Sequence, residues 1–119
     1  MPNSKQTIPP QSASPLSETT FLILVSLGSG PKHGYAIMKE VETLSQQRVL
    51  LSTGTLYGAI KRLLADGCIS RLNLPEDTRD GRVRKTYTLT SHGRKVLKDE
   101  TRRLQELVEV AARRASQGA

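Results

Sequence analysis

Leu50-Leu51-Ser52-Thr53-Gly54-Thr55-Leu56-Tyr57-Gly58-Ala59-Ile60-Lys61-Arg62-Leu63-Leu64 reads as one helix with two unlike faces. Ser52 is placed to cap it, its hydroxyl accepting from a first-turn N–H that has no partner inside a helix. Leu56, Ile60, Leu63 and Leu64 recur at helical spacing and define an apolar stripe. The opposite side carries Gly54, Thr55, Gly58, Lys61, Arg62 and Ala65. That side combines cations and a hydroxyl with positions that lack a side chain. It can approach another backbone closely and neutralise charge on it. Gly67, just past Asp66, suits the left-handed residue that ends a helix. A helix about three turns long with a small basic outer face is what insertion into a DNA major groove requires. An ordinary solvated surface helix shares this look, and the flanking segments must distinguish the two.

The chain has 119 residues, enough for one domain with a modest core. Its formal net charge is +7, the footprint expected of a polyanionic partner, nucleic acid before anionic membrane. No apolar run is long enough for a membrane span, and no apolar core with a cleavage site opens the chain. A single cysteine, Cys68, excludes an intrachain disulfide and suits a reducing cytosol. A cytoplasmic location is therefore expected. Trp is absent and aromatics make up 3%, so the core must be aliphatic and small. A small core favours burial at a subunit interface.

Upstream of the quoted helix, residues 1–15 are rich in Pro, Ser, Gln and Thr and are expected to form a disordered tail. Residues 16–27 predict a first helix starting near Ser17, with Phe21, Leu22, Leu24, Val25 and Leu27 making it apolar most of the way round. Gly28-Ser29-Gly30-Pro31 ends it. Lys32-His33-Gly34-Tyr35 is expected to open a second helix reaching about Leu44, with Tyr35, Ile37, Met38, Val41 and Leu44 facing inward. His33 could be a ligand or a pH-sensitive contact, although a histidine at a helix start more often caps a backbone group or packs against a neighbour. Ser45-Gln46-Gln47-Arg48 reads as a polar connection.

Downstream the period changes from helix to strand. Cys68-Ile69-Ser70-Arg71-Leu72-Asn73-Leu74 alternates apolar and polar residues. Asp80-Gly81 is a hairpin signal, and residues 83–90 are rich in β-branched and aromatic side chains. A two-stranded hairpin is expected, its tip carrying Arg79, Arg82, Arg84 and Lys85 among Glu76, Asp77 and Asp80. Cys68, beside Ile69, reads as a small core residue. Residues 91–115 predict a last helix starting at Ser91, and residues 116–119 should fray. Leu97, Thr101, Leu104, Val108, Ala111 and Ala115 alternate spacings of four and three, the seam of a coiled coil. This predicts a dimerisation arm; the competing reading is an amphipathic helix folded back on its own core. Asp99, Glu100, Glu106 and Glu109, interspersed with cations, are expected to form a solvated surface.

Three helices, a hairpin and a helix make a mainly α fold with a small β-hairpin: a winged helix-turn-helix over residues 16–90 plus a long C-terminal dimerisation helix. Gly30-Pro31-Lys32-His33-Gly34-Tyr35, then Gly54-Thr55-Leu56-Tyr57 with Ile60, Arg62-Leu63 and Gly67, then Arg84-Lys85-Thr86-Tyr87-Thr88-Leu89-Thr90 with Gly93, resemble the PadR family of transcriptional regulators. The resemblance spans roughly residues 16–97, and the single C-terminal helix is similar to the small PadR subfamily. It implies a homodimeric bacterial repressor that binds a palindromic operator on double-stranded DNA and is often released by a small molecule. One departure is Thr53, where the family commonly has Pro at the first helical position; Thr fits there and adds a hydroxyl and an N–H.

The expected DNA contacts are Lys32, His33, Tyr35, Ser52, Thr53, Gly54, Thr55, Tyr57, Gly58, Lys61, Arg62, Arg82, Arg84 and Lys85. Ser52, Thr53 and Thr55, with first-turn amides, suit phosphates. Arg62 fits a phosphate contact or an intramolecular bridge, and Tyr57 fits a phosphate contact or packing between helices. No specific effector is predicted, given the few aromatics. No cofactor or metal is expected, and no enzyme: there is no Gly-rich phosphate loop or zinc spacing, and His33 and His92 have no nucleophile–base set around them. The rival is a winged-helix protein-interaction module that never touches DNA.

Overall fold

Thr53 to Ala65 form a helix whose inner stripe, Leu56, Ile60 and Leu63, is buried. The computed structural model describes residues 15–73, 78–79, 82–83 and 85–118, with only the backbone of residues 78, 79, 82 and 83. In chain order the elements are α1 (Glu18–Leu27), β1 (Lys32–His33), α2 (Gly34–Leu44), α3 (Thr53–Ala65), β2 (Ile69–Leu72), β3 (Thr78–Arg79), β4 (Arg82–Val83), β5 (Thr86–Leu89) and α4 (Ser91–Gly118). The expected N-terminal tail lies, apart from Pro15, outside the described residues.

Each helix start has a chemical cause. Ser17 accepts from the Thr20 N–H at 3.1 Å and caps α1. Ser52 accepts from the Thr55 N–H at 3.1 Å and caps α3. Thr90 accepts from the Gly93 N–H at 2.9 Å at the head of α4. Such caps are each worth about 1 kcal/mol. Gly67, at φ +76°, ends α3 in the left-handed region, as its place after Asp66 predicted.

The core joins all of the longer elements. Ile23, Leu24 and Leu27 of α1 meet Ile37 and Val41 of α2 and Leu56, Ile60 and Leu63 of α3. Cys68, Ile69, Tyr87, Leu89 and Val96 close it from the sheet and α4. Cys68 is a buried core residue, and burial pushes its thiol pKa up, away from the reactive thiolate.

Several expectations need correction. Lys32 and His33 lead into α2 as expected, His33 at its N-cap position, but they also form β1, which pairs antiparallel with β5. The hairpin is therefore part of a three-stranded sheet of order β1-β5-β2, while β3 and β4 pair with each other beyond it. Two residues form too short a run for a strand signal, and the pairing that holds them is remote in sequence. Asp80 and Gly81 lie outside the described residues. Tyr35 and Leu44 are exposed rather than inward-facing, because α2 turns only Ile37 and Val41 fully to the core. The connection after α2 is not simply polar surface. Ser45 is buried, and its hydroxyl accepts from the Val49 N–H at 2.9 Å. Gln46 and Gln47 both take positive φ, a conformation that costs non-glycine residues roughly 1–2 kcal/mol each. α4 runs through Gly118, past the expected end at Ala115.

Glu100 is the largest departure. It was expected in a solvated charged face and is instead 2% exposed. Its carboxylate accepts from the Leu16 backbone N–H at 3.0 Å and from Arg103 at 2.6 and 2.9 Å. It thereby fastens the start of α1 to α4. The Arg103 hydrogen bonds, with help from the Leu16 N–H, hold the Glu100 pKa below the usual carboxylate range despite burial. A depressed folded pKa stabilises the fold above the unfolded value of about 4.3 and loses that contribution as pH falls through the folded pKa. Glu100→Gln is expected to melt lower than wild type at neutral pH and to lose less on acidification below about pH 4.3. Thermal unfolding followed at several pH values checks this; parallel pH dependences would remove Glu100 as the acid-labile fastener.

Candidate nucleic-acid interface

The outer face of α3 is open. Thr53, Gly54, Thr55, Gly58, Lys61, Arg62 and Ala65 are all exposed. At Gly54 and Gly58 nothing lies within 4 Å of where a Cβ would stand, so these glycines serve no internal packing. The Ser52 hydroxyl also lies 3.0 Å from the Thr55 hydroxyl, which fixes both at the positive end of the helix. The partial positive charge of a helix N-terminus favours an anion there.

Lys61 is exposed and lies one turn from Tyr57. Arg62 lines a pocket with Leu16, Thr20, Cys68 and Asp66, near the start of α1. Among the described residues neither forms an ion pair. Both are exposed, as helical spacing predicts, and Arg62 in addition borders that pocket.

Tyr57 is half-exposed, and its hydroxyl end sits over Gly34, the first residue of α2. A Cβ on Gly34 would stand 2.9 Å from Tyr57 Cζ, so this position must stay bare for the ring to bridge the two helices. Tyr57 thus packs against the start of α2 while remaining 43% exposed. Tyr35 is 67% exposed, with Lys39 Nζ 5.9 Å from its ring centroid. Lys32 donates to Ser29 Oγ at 2.7 Å. His33 is half-buried on β1, its Nδ1 3.1 Å from Thr86 Oγ1 and 3.4 Å from the Lys85 carbonyl oxygen. It joins β1 to β5. Lys85 is exposed at the head of β5. Arg82 lies on β4, but its side chain, like the whole of Arg84, lies outside the described residues.

Sequence reasoning passed over Arg71. It is exposed on β2 and pairs in register with Tyr87 of β5. Ile69 and Arg71 share one face of the strand by its two-residue period, and the register that gives Arg71 its neighbours is a tertiary fact.

A winged helix-turn-helix is therefore on view: α2 and α3 joined by residues 45–52, a sheet beside them, and a long terminal helix. The sequence model of the Transcriptional regulator PadR-like family matches residues 23–99. The chain belongs to the PadR family. A transcriptional regulator of Mycobacterium tuberculosis, Rv3488, is 37% identical over 75 residues, covering 63% of this chain and 64% of that protein. An uncharacterised 37.1 kDa protein from a transposon of Streptomyces fradiae is 36% identical over 91 residues, 76% of this chain and 24% of that protein. The chain thus spans less than two thirds of the length of either relative. Among solved structures, a PadR family transcription regulator from Clostridium difficile R20291 superposes with a TM-score of 0.68 at 26% identity, covering 82% of this chain and 97% of that one. Bacillus subtilis PadR in complex with operator DNA superposes with a TM-score of 0.58 at 28% identity, covering 67% of this chain and 44% of that one. Gly34 leaves room for Tyr57, and Gly93 for the Cys68 carbonyl. No helix of the described residues is long and apolar enough to cross a membrane.

Proposed function

We propose that this PadR-family chain is a sequence-specific DNA-binding repressor that acts as a homodimer on a palindromic operator in the cytoplasm. The observation that carries the proposal is the outer face of α3. It is exposed along its length, bare at Gly54 and Gly58, and bounded by a Ser52-capped positive end and Lys61. A face of this kind admits a DNA backbone or groove wall closely, and a chain of net charge +7 favours it electrostatically. The operator complex of Bacillus subtilis PadR supports the same reading.

In the proposed complex α3 enters the major groove. Ser52, Thr53 and Thr55 hold phosphates, and Lys61 contacts phosphate or a base edge. The wing, with Lys85, Arg82 and Arg84, lies along the adjacent backbone. Two copies present their α3 helices about 34 Å apart, which sets the half-site spacing. The copies meet through the distal part of α4. Leu107, Val108 and Val110 are more than half exposed there, and Leu104 and Val108 border an apolar groove shared with Phe21. The partner's α4 would complete that groove. A small molecule held there would release DNA only by binding the two dimer conformations differently.

The test is selection from random duplexes at two salt concentrations, with sequencing of what is retained. The expected result is a two-fold symmetric motif whose retention falls steeply with salt. Retention without a motif would leave only non-specific attraction. No retention at low salt would promote the protein-interaction module in its place.

A further inference from the structure

Lys32, Tyr87 and Arg71 stand in one row across the sheet: Lys32 of β1 pairs with Tyr87 of β5, and Tyr87 pairs with Arg71 of β2. Directly opposed residues of antiparallel strands project from the same face. The two outer strands are about 10 Å apart, twice the usual spacing. Between the two cations Tyr87 is 2% exposed and belongs to the core, while Arg71 is exposed and Lys32 half-exposed at the row's two ends. Burial raises the Tyr87 pKa, Tyr57 raises it further and Arg71 lowers it, so the two tyrosines and the guanidinium share one neighbourhood. Tyr57 belongs to α3, and β2, which carries Arg71, contacts that helix directly. No carboxylate among the described residues pairs with Arg71.

We propose that Arg71 is a DNA-phosphate contact at the base of the wing, acting with Lys32 across the Tyr87 strand to grip the backbone beside the groove that α3 occupies. The proposal rests on the DNA-binding reading above and adds a site to it. A guanidinium on a strand is well suited to this role. Its donors form a planar fork that matches phosphate oxygens, and the sheet holds its origin still. Because it meets phosphate and not base edges, Arg71 supplies affinity and register, not sequence choice.

The test measures binding of wild type, Arg71→Ala, Arg71→Gln, Arg71→Lys and Arg113→Ala to two labelled duplexes, one carrying the selected motif and one scrambled, across a salt series. Arg113 is an exposed cation near the far end of α4 and serves as the control. Loss of one phosphate contact reduces the slope of log K against log salt by about 0.9 per protomer, roughly eightfold in affinity at 0.1 M salt. Arg71→Ala and Arg71→Gln are expected to show this loss on both duplexes alike. Arg71→Lys keeps most of the slope, and Arg113→Ala matches wild type. Agreement between the Ala and Gln variants separates lost charge from a packing defect. A wild-type slope in both variants, with wild-type motif binding intact, overturns the role of Arg71 and leaves the DNA-binding reading standing. A loss confined to the motif duplex also overturns it, by making Arg71 a base reader. Absence of wild-type binding to either duplex overturns both.

Discussion

Gly93→Ala is expected to destabilise the fold by about 3 kcal/mol or more, a melting drop of roughly 12–24 °C for a domain of this size. The first turn of α4 lies directly on the backbone that leaves α3. A Cβ at residue 93 would collide with the Cys68 carbonyl oxygen and stand 2.9 Å from the Cys68 carbonyl carbon. Neither atom is the end of a flexible side chain. The same carbonyl accepts from the Thr90 N–H at 3.0 Å, and the Thr90 hydroxyl donates to the Gly67 carbonyl at 2.5 Å. Moving α4 away therefore costs the cap and the strand-end bonds together. Gly58→Ala is the matched comparison. Its Cβ would meet nothing, and the lost glycine entropy should stabilise the helix by about 0.5–1 kcal/mol. Thermal unfolding by circular dichroism checks both. A Gly93→Ala protein that melts within a few degrees of wild type would mean that α4 does not approach Cys68 this closely.

Replacing Val108 and Ala111 together by Asp is expected to give a monomer whose operator affinity is lower by about 100-fold or more, since each half-site then binds without its tethered partner. Both residues are exposed in the protomer, so charge placed there leaves the protomer's own core untouched. In a coiled-coil seam the same carboxylates would be desolvated opposite their copies, and like charges would face each other across the axis. Sedimentation equilibrium and operator titration of the double variant read the two effects separately. A dimer that survives the substitution would place the subunit contact elsewhere and return α4 to the rival reading, a helix belonging to its own domain.

The sequence was legible wherever one short segment carries its own signal. α3 could be read whole, from the Ser52 cap through the Leu56, Ile60 and Leu63 stripe to Gly67, because cap, period and terminator are all local. The wing strands announced themselves by alternation. What escaped depends on partners far along the chain. Lys32 and His33 become a strand only because β5 arrives more than fifty residues later. Glu100 looks like any surface acid until Leu16, 84 residues away, donates to it. The bare positions carried two meanings that no pattern separates: Gly34 and Gly93 make room inside the protein, whereas Gly54 and Gly58 leave room outside it.

The three-stranded sheet fastens the base of the wing to the residues just before α2, while β3 and β4 pair with each other beyond it. Length and composition between Asn73 and Lys85 can therefore drift without disturbing the scaffold that aims α3. A fluorophore, an affinity tag or a loop borrowed from another family member could be inserted at that tip as an exchangeable cartridge. The helix-turn-helix cannot be excised in the same way, because cutting before β5 strips β1 of its partner strand and Tyr57 of the Tyr87 beside it.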